Sequence, residues 1–389
     1  MDAVKLSQFP KTLIFAILSH MLQSFIFALT AVGILVVSHI FLYVSFLKFF
    51  TIESSGIRHL IGGMLIFFPL GLIGIQILAH YFDTAISRGL FYFFSLWFGI
   101  LTALITGFLI AWILTGAGSF LHINISPLAI GIMAAAFTVL YGVCGIWNAY
   151  HPVVKEITVT VKNLSAEWKG KKVVHVSDIH LGFIWGETFF EKLITDINGL
   201  HPEAVFITGD LFDGTGDKFD YVANDLSKLA APRGTFFVTG NHETYFGVEK
   251  SYSLLKNSGI TILKDEMKKV DGLEIVGVSY AERMTKKSVA DTIRKIPGYD
   301  PEGASILLYH EPSQIDEIKK AGIKLELSGH THAGQIFPYR FITSLVYPGV
   351  DYGLHTDGDY NIYTTSGAGT WGPTMRVGTD SEIVLITLE

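Results

Sequence analysis

The sequence predicts an all-α transmembrane region over residues 1–150, followed by an α/β domain over residues 151–389. Three observations predict this. First, charge is unevenly placed. Of 29 Lys and Arg and 35 Asp and Glu, only Lys5, Lys11, Lys48, Arg58, Arg88, Asp2, Glu53 and Asp83 lie before residue 151. Second, that region holds apolar stretches long enough to cross about 30 Å of hydrocarbon. Third, short β-rich runs alternate with amphipathic, charged stretches after Tyr150, the pattern of an α/β fold.

The apolar stretches place four spans at about 22–47, 58–80, 90–115 and 128–149. Gly116 to Ser119 and Asn124 to Pro127 read as loop between the last two spans. The first stretch exceeds one span, so Thr12 to Met21 is either an interfacial segment or part of a long tilted helix. No short apolar core leads to a small-residue cleavage site, so a cleavable signal peptide is not expected. Four spans put both ends on one side. Lys5, Lys11, Arg88 and the Lys155 to Lys172 segment share that side, against Lys48 and Arg58, so the positive-inside rule directs the soluble domain to the cytoplasm. The expected location is therefore the cell membrane, multi-pass. As intramembrane ionisable groups only His20, His39, His59 and His80 come into question, and all but His39 are expected at an interface. That is sparse for a transporter.

Strand-like runs occur at Val173–Val176, Ala204–Thr208, Thr235–Thr239, Leu273–Val278, Ser305–Leu308 and Leu325–Ser328, with an alternating strand at Ile157 to Val161. Helices fit at about 188–200, 217–229, 248–258, 286–296 and 313–321. The tail from Ile336 to Leu388 is rich in Gly, Tyr and Thr and reads as strands and loops. The soluble part is net acidic, so nucleic acid is not an expected partner. Cys144 is the lone cysteine, which excludes an intramolecular disulfide and a cysteine-based zinc cluster.

The chemistry lies just after the strands. Ser177-Asp178-Ile179-His180, Gly209-Asp210, Gly240-Asn241-His242-Glu243, Tyr309-His310-Glu311 and Ser328-Gly329-His330-Thr331-His332 each follow a run. In α/β sheets ligands bind beyond the carboxyl ends of strands. Residues two apart in extended chain point the same way, so Asp178 with His180, and His330 with His332, can each aim at one cluster. Carboxylate, amide and imidazole donors without thiolate suit hard to borderline divalent metals. His175 and His201 read as structural. His355 and Arg376 are candidates to reach the site, Arg376 as a phosphate or nucleotide contact. Glu243 and Glu311 read as solvated or supporting. Phe183, Trp185 and Tyr245 flank the motif loops.

The ordered set D-x-H, G-D, G-N-H-E, H and G-H-T-H resembles the calcineurin-like metallophosphoesterases across about residues 171–333. The form Gly-His-Thr-His-Ala-Gly-Gln at 329–335 is similar to a bacterial, membrane-associated branch that includes UDP-diacylglucosamine hydrolase-like phosphodiesterases, although Ala333 stands where many members have Gly. The resemblance implies a two-sheet α/β sandwich and two divalent ions, Mn, Fe or Zn. Asp178, His180 and His332 would hold one ion, Asn241, His310 and His330 the other, and Asp210 would bridge them. A metal-bridging hydroxide would attack phosphorus, with His242 at the leaving oxygen. The expected activity is a membrane-anchored phosphodiesterase or pyrophosphatase acting on a lipid-linked or envelope-related phosphate ester, with the lipid bilayer as partner. The competing expectations are a membrane-anchored scaffold with a vestigial site and a transporter carrying a regulatory phosphoesterase domain.

Overall fold

The computed structural model describes residues 11–281 and 287–389. Helix α1 (Lys11–Phe49), α2 (Ser55–Tyr81), α3 (Ala85–Phe120) and α4 (Pro127–Tyr150) occupy the N-terminal region. Each contains a segment long and apolar enough to cross a membrane, with mean hydropathy between 2.0 and 2.1. Many large apolar side chains on them are exposed, among them Val37, Ile66 and Val139. That arrangement costs free energy in water and suits lipid.

The structure decides one of the sequence expectations and changes another. The helix α1 is continuous from Lys11, so the long-helix reading of the first stretch holds. The expected loop at Gly116 to Ser119 is instead the last turn of α3, and the break falls at residues 121–126. A Cβ at Gly118 would stand 3.1 Å from the Ile123 carbonyl oxygen. The glycine therefore serves the turn that folds back on the helix rather than ending it.

The chain forms two compact units. One runs through Ile73 and includes Leu101–Thr138. Its helices are held by Phe46 and Phe49 against Phe108, and by the Trp112 Nε1–H donated to Ser45 Oγ at 2.9 Å.

The second unit comprises Gly74–Ile100 and Val139–Glu389. It contains two six-stranded sheets. The first holds β1 (Val153–Val159), β2 (Lys172–Val176), β3 (Ala204–Thr208), β4 (Thr235–Val238), β5 (Thr261–Ile262) and β12 (Glu382–Leu388), in the order β1-β12-β2-β3-β4-β5. The second holds β6 (Glu266–Val270), β7 (Leu273–Gly277), β8 (Ser305–Leu308), β9 (Leu325–Ser328), β10 (Gly353–Asp357) and β11 (Tyr360–Thr364), in the order β10-β11-β9-β8-β7-β6. Strands β2 to β5 pair in parallel, as do β7, β8, β9 and β11.

Period-two alternation builds the layers. In β3, Ala204 and Phe206 enter the core between the sheets, where Ile275, Ile306 and Leu325 meet them. Val205 and Ile207 face the other way, onto α5 (Glu187–Gly199) and α6 (Asp220–Leu226) through Leu193, Ile197 and Val222. In β8, Leu307 likewise packs outward against Val289 and Ile293 of α9 (Val289–Lys295) and Ile318 of α10 (Ile315–Lys320). The result is helices, sheet, sheet, helices, the expected sandwich.

Boundaries shift by a few residues. The strand expected at Ile157 to Val161 begins at Val153, because its pairing with β12 starts there. The helix expected at 217–229 narrows to α6, and the one at 248–258 becomes α8 (Val248–Leu255). The start of the helix expected at 286–296 lies outside the described residues. Three elements had gone unread: the short β5, the hairpin strand β6, and α7 (Asn241–Phe246), which begins inside the Gly-Asn-His-Glu motif. The tail adds α11 (Arg340–Val346), where only strands and loops were expected.

The second unit also includes segments of α3 and α4. The Arg376 N–H donates to the Gly145 carbonyl at 2.8 Å, and Asn148 Nδ2 donates to the Arg376 carbonyl at 3.2 Å. In the α2–α3 turn, Asp83 accepts from Arg88 and from the Asp217 backbone N–H, and these contacts hold its carboxyl well below the usual range despite burial.

Candidate metal centre

Five of the seven proposed ligands leave the sheets in the left-handed region: Asp178 (φ 54°), His180 (55°), Asp210 (50°), His330 (71°) and His332 (51°). Such a conformation costs of order 1–3 kcal/mol at a non-glycine residue, and clusters of it mark functional sites. Backbone bonds hold the strain in place. The Asp178 N–H donates to the Gly209 carbonyl at 3.1 Å, and the His180 N–H to the Asp210 carbonyl at 3.0 Å. A Cβ at Gly240 or Gly329 would collide with the carboxylate of Asp210 or Asp178. Those two glycines are what allow the backbone to lie against the ligands.

The side chains converge. Among the described residues, Asp178, His180 and His332 form one buried group whose ligand atoms lie within 4.8 Å of one another; His180, Asp210 and His242 form a second, and Asp178, Asp210 and His310 a third. His180 Nε2 is 3.1 Å from His332 Nε2, and His332 Nε2 is 3.3 Å from Asp178 Oδ1. On the other side, Asn241 Oδ1 is 2.9 Å from His330 Nδ1 and 3.1 Å from His310 Nε2.

The hydrogen bonds around His310 decide what this arrangement wants. The Thr208 carbonyl lies 2.7 Å from Nδ1, so that nitrogen carries the proton and donates. Without a second proton, the ring would turn an Nε2 lone pair toward Asp210 Oδ2 at 3.2 Å and Asn241 Oδ1. Three acceptors facing one another repel unless something positive lies between them. Burial lowers the affinity of His310 for a proton, but the Asp210 carboxylate outweighs it and pushes the pKa up to about 10. The field that attracts that proton also attracts a cation. Asp210 itself stays ionised despite burial, because His310 and His242 lie beside it. These donors fit divalent metal, with Asp210 shared between two of the groups.

Supporting residues complete the centre; for Glu243 the structure selects the supporting reading over the solvated one, and Asp213 is one the sequence reading missed. Glu243, read as solvated or supporting, is fully buried. It accepts the N–H groups of Asp210, Leu211, Phe212 and Gly240 at 2.6–3.1 Å. Burial and the Asp210 charge raise its pKa to about 7, against those N–H bonds. Replacing it, Glu243→Ala, should leave four buried N–H groups unpaired at a cost of about 1–3 kcal/mol each. The expected result is a lower unfolding temperature together with about 10–100-fold weaker metal binding, read by titration calorimetry. Asp213, which was missed, sets its Oδ1 3.3 Å from His180 Nδ1, and its carbonyl is 2.8 Å from His242 Nδ1. Its signal was present in the sequence: an acid three residues after Asp210 in Gly-Asp-Leu-Phe-Asp.

Other candidates resolve differently. Arg376 is fully buried and donates to the carbonyls of Ser366, Gly367, Gly369 and His332, so it ties the tail to the ligand loop and has no open face for phosphate. Burial lowers its pKa to about 10. His355 is exposed on β10. His175 is buried, bonded to Thr208 Oγ1 at 2.8 Å, and burial lowers its pKa to about 3. Phe183 and Trp185 are buried and pack, whereas Tyr245 is exposed with its ring 5.3 Å from that of His242. Glu311 accepts from the Tyr347 hydroxyl at 3.0 Å.

Comparison with known proteins agrees with this geometry. The calcineurin-like phosphoesterase family profile matches residues 171–334. An uncharacterized metallophosphoesterase of Campylobacter jejuni is 36% identical over 241 residues, 61% of this chain and 63% of that protein. A transmembrane protein with a metallophosphoesterase domain from Danio rerio is 32% identical over 273 residues, 66% of this chain and 62% of that protein. The chain thus spans just under two thirds of the length of these two relatives. An uncharacterized metallophosphoesterase of Aquifex aeolicus is 32% identical over 262 residues, 64% of this chain and 97% of that protein. With the motif residues gathered at one buried centre and near-complete coverage of the Aquifex protein, this chain belongs to the calcineurin-like metallophosphoesterase family.

Proposed function

We propose that the chain is a membrane-anchored, dinuclear metal-dependent phosphoesterase. Residues 1–150 serve as the multi-pass anchor and residues 151–389 as the catalytic domain, placed on the cytoplasmic side by the distribution of Lys and Arg. The observation that carries the reading is the convergence of His310 Nε2, Asp210 Oδ2 and Asn241 Oδ1. In the proposed assignment Asp178, His180 and His332 hold one ion, Asn241, His310 and His330 the other, and Asp210 both. Bound divalent metal of this kind acidifies water and neutralises charge on a phosphoryl group.

The chain's own residues do the rest. The Asp213 carbonyl accepts from His242 Nδ1, which leaves Nε2 free to carry a second proton, and that proton is the one the imidazolium would donate to a leaving oxygen or a phosphate oxygen. The His242 backbone N–H donates to Asp210 Oδ1 at 2.8 Å, which ties the proton donor to the shared carboxylate. The Asp213 carboxylate orients His180. Within the family we favour a phosphodiesterase or pyrophosphatase on a lipid-linked or envelope-related ester, close to the UDP-diacylglucosamine hydrolase-like branch. The four apolar helices support that preference, since they suit a chain anchored in a bilayer.

The test is turnover of a panel of phosphomonoesters, phosphodiesters and lipid diphosphates by chelator-stripped chain, with Mn, Fe or Zn added back. Activity that returns with metal and is highest on diesters or lipid diphosphates supports the reading. Binding of the same esters with no turnover under any metal favours the scaffold alternative.

A further inference from the structure

The metal centre opens into an apolar cleft. Its volume is about 360 Å³. His330 and His332 line it together with Phe98, Ile336, Tyr339 and Ile342. Phe98 belongs to α3, one of the apolar membrane helices, and its ring stacks on Tyr339 with centroids 6.1 Å apart. The Tyr141 hydroxyl of α4 donates to the Phe337 carbonyl just before the cleft wall. The cleft is therefore continuous, within one compact unit, from two proposed metal ligands to the side of a membrane helix.

Helix α11 forms the rim, and no residue of it is buried. Its apolar residues are turned outward instead: Phe341 is 67% exposed, Ile342 56%, Leu345 80% and Val346 60%. Four large apolar side chains on a seven-residue helix have no reason to face water. Trp371 lines the same cleft and is 59% exposed. Apolar walls suit a hydrocarbon chain, whereas a sugar or nucleotide would need many polar partners along its length. An outward apolar helix suits the headgroup region of a bilayer.

We infer that the cleft holds the hydrocarbon chain of a lipid-linked phosphoester while α11 sits in the bilayer interface and guides that chain in. The inference rests on the hydrolase reading above and narrows its substrate class to esters whose apolar chain lies next to the phosphorus. The occupant is a bilayer lipid rather than a second copy of the chain.

The test uses full chain, loaded with metal, in nanodiscs of phosphatidylcholine and phosphatidylglycerol. Nitrophenyl alkyl phosphodiesters with methyl, octyl and hexadecyl groups serve as probes. Burial of each added methylene is favourable, so kcat/KM should rise by about 100-fold from methyl to hexadecyl. Ile342→Trp fills the cleft and should cut the hexadecyl-to-methyl ratio by about tenfold or more relative to wild type in the same discs, a comparison that cancels partitioning of the probe. A second readout places an environment-sensitive dye on Leu345→Cys in a Cys144→Ser background. Quenching by interface-labelled lipid supports the inference. Equal ratios in wild type and Ile342→Trp overturn it while leaving the hydrolase reading intact, as does oxidative disulfide crosslinking of the unlabelled Leu345→Cys variant between two copies without lipid quenching of the dye. Failure to hydrolyse even the methyl ester, with metal bound, instead strikes the hydrolase reading.

Discussion

Asp210→Asn is expected to abolish phosphoester hydrolysis, with kcat falling at least about 10³-fold, the order lost when one preorganised electrostatic contact is removed from an active site. Asp210 follows β3 and is shared by two of the three buried ligand groups. It is the anion against which His310 is poised at 3.2 Å. An amide keeps the shape and can still accept the His242 N–H through its oxygen. It removes the charge. The fold should therefore survive, and unfolding temperature measured on the metal-free chains should differ little between variant and wild type. Metal affinity should drop sharply, because two cations would face each other with no shared negative charge between them. Unchanged turnover in Asp210→Asn would contradict the two-metal assignment.

His242→Gln should lower kcat by about 10²–10⁴-fold with little change in KM, the usual contribution of a positioned proton donor. The loss should depend on the leaving group. A nitrophenolate leaves without help, so its esters should lose least, and alkoxide-leaving esters should lose most. That gradient separates proton donation from a role in holding phosphate, which would weaken every substrate alike. The side chain is placed for the task by its Nδ1 contact to the Asp213 carbonyl at 2.8 Å and lies beside the ring of His180, with centroids 4.6 Å apart. Equal losses across leaving groups would remove the general-acid role and leave His242 as a phosphate contact.

Much of this centre was legible in the sequence, and the reason is physical. Strands in a parallel α/β sheet deliver whatever follows them to one edge. Finding Asp178, Asp210, Asn241, His310 and His330 each just past a β-rich run was therefore enough to gather them. The layers were legible too, since Ala204-Val205-Phe206-Ile207 alternates between two cores. What could not be read were features decided by tertiary contacts. Glu243 looks like a surface acid until four backbone N–H groups close around it. Arg376 looks like a phosphate ligand until the tail buries it among carbonyls. The turn signal at Gly116 to Ser119 lost to helix continuity, because Gly118 accommodates the returning chain. Helix α11 hid because its apolar residues face outward, and the pattern of a soluble core helix is absent.

The central claim is that this chain holds two divalent ions and hydrolyses phosphoesters with them. The most direct test is metal content by plasma mass spectrometry, measured alongside hydrolysis of a nitrophenyl phosphodiester through chelation and add-back. The account predicts two ions per chain at full activity, none after chelation, and recovery of activity as the two sites refill. Full activity in a chain stripped of metal would contradict it.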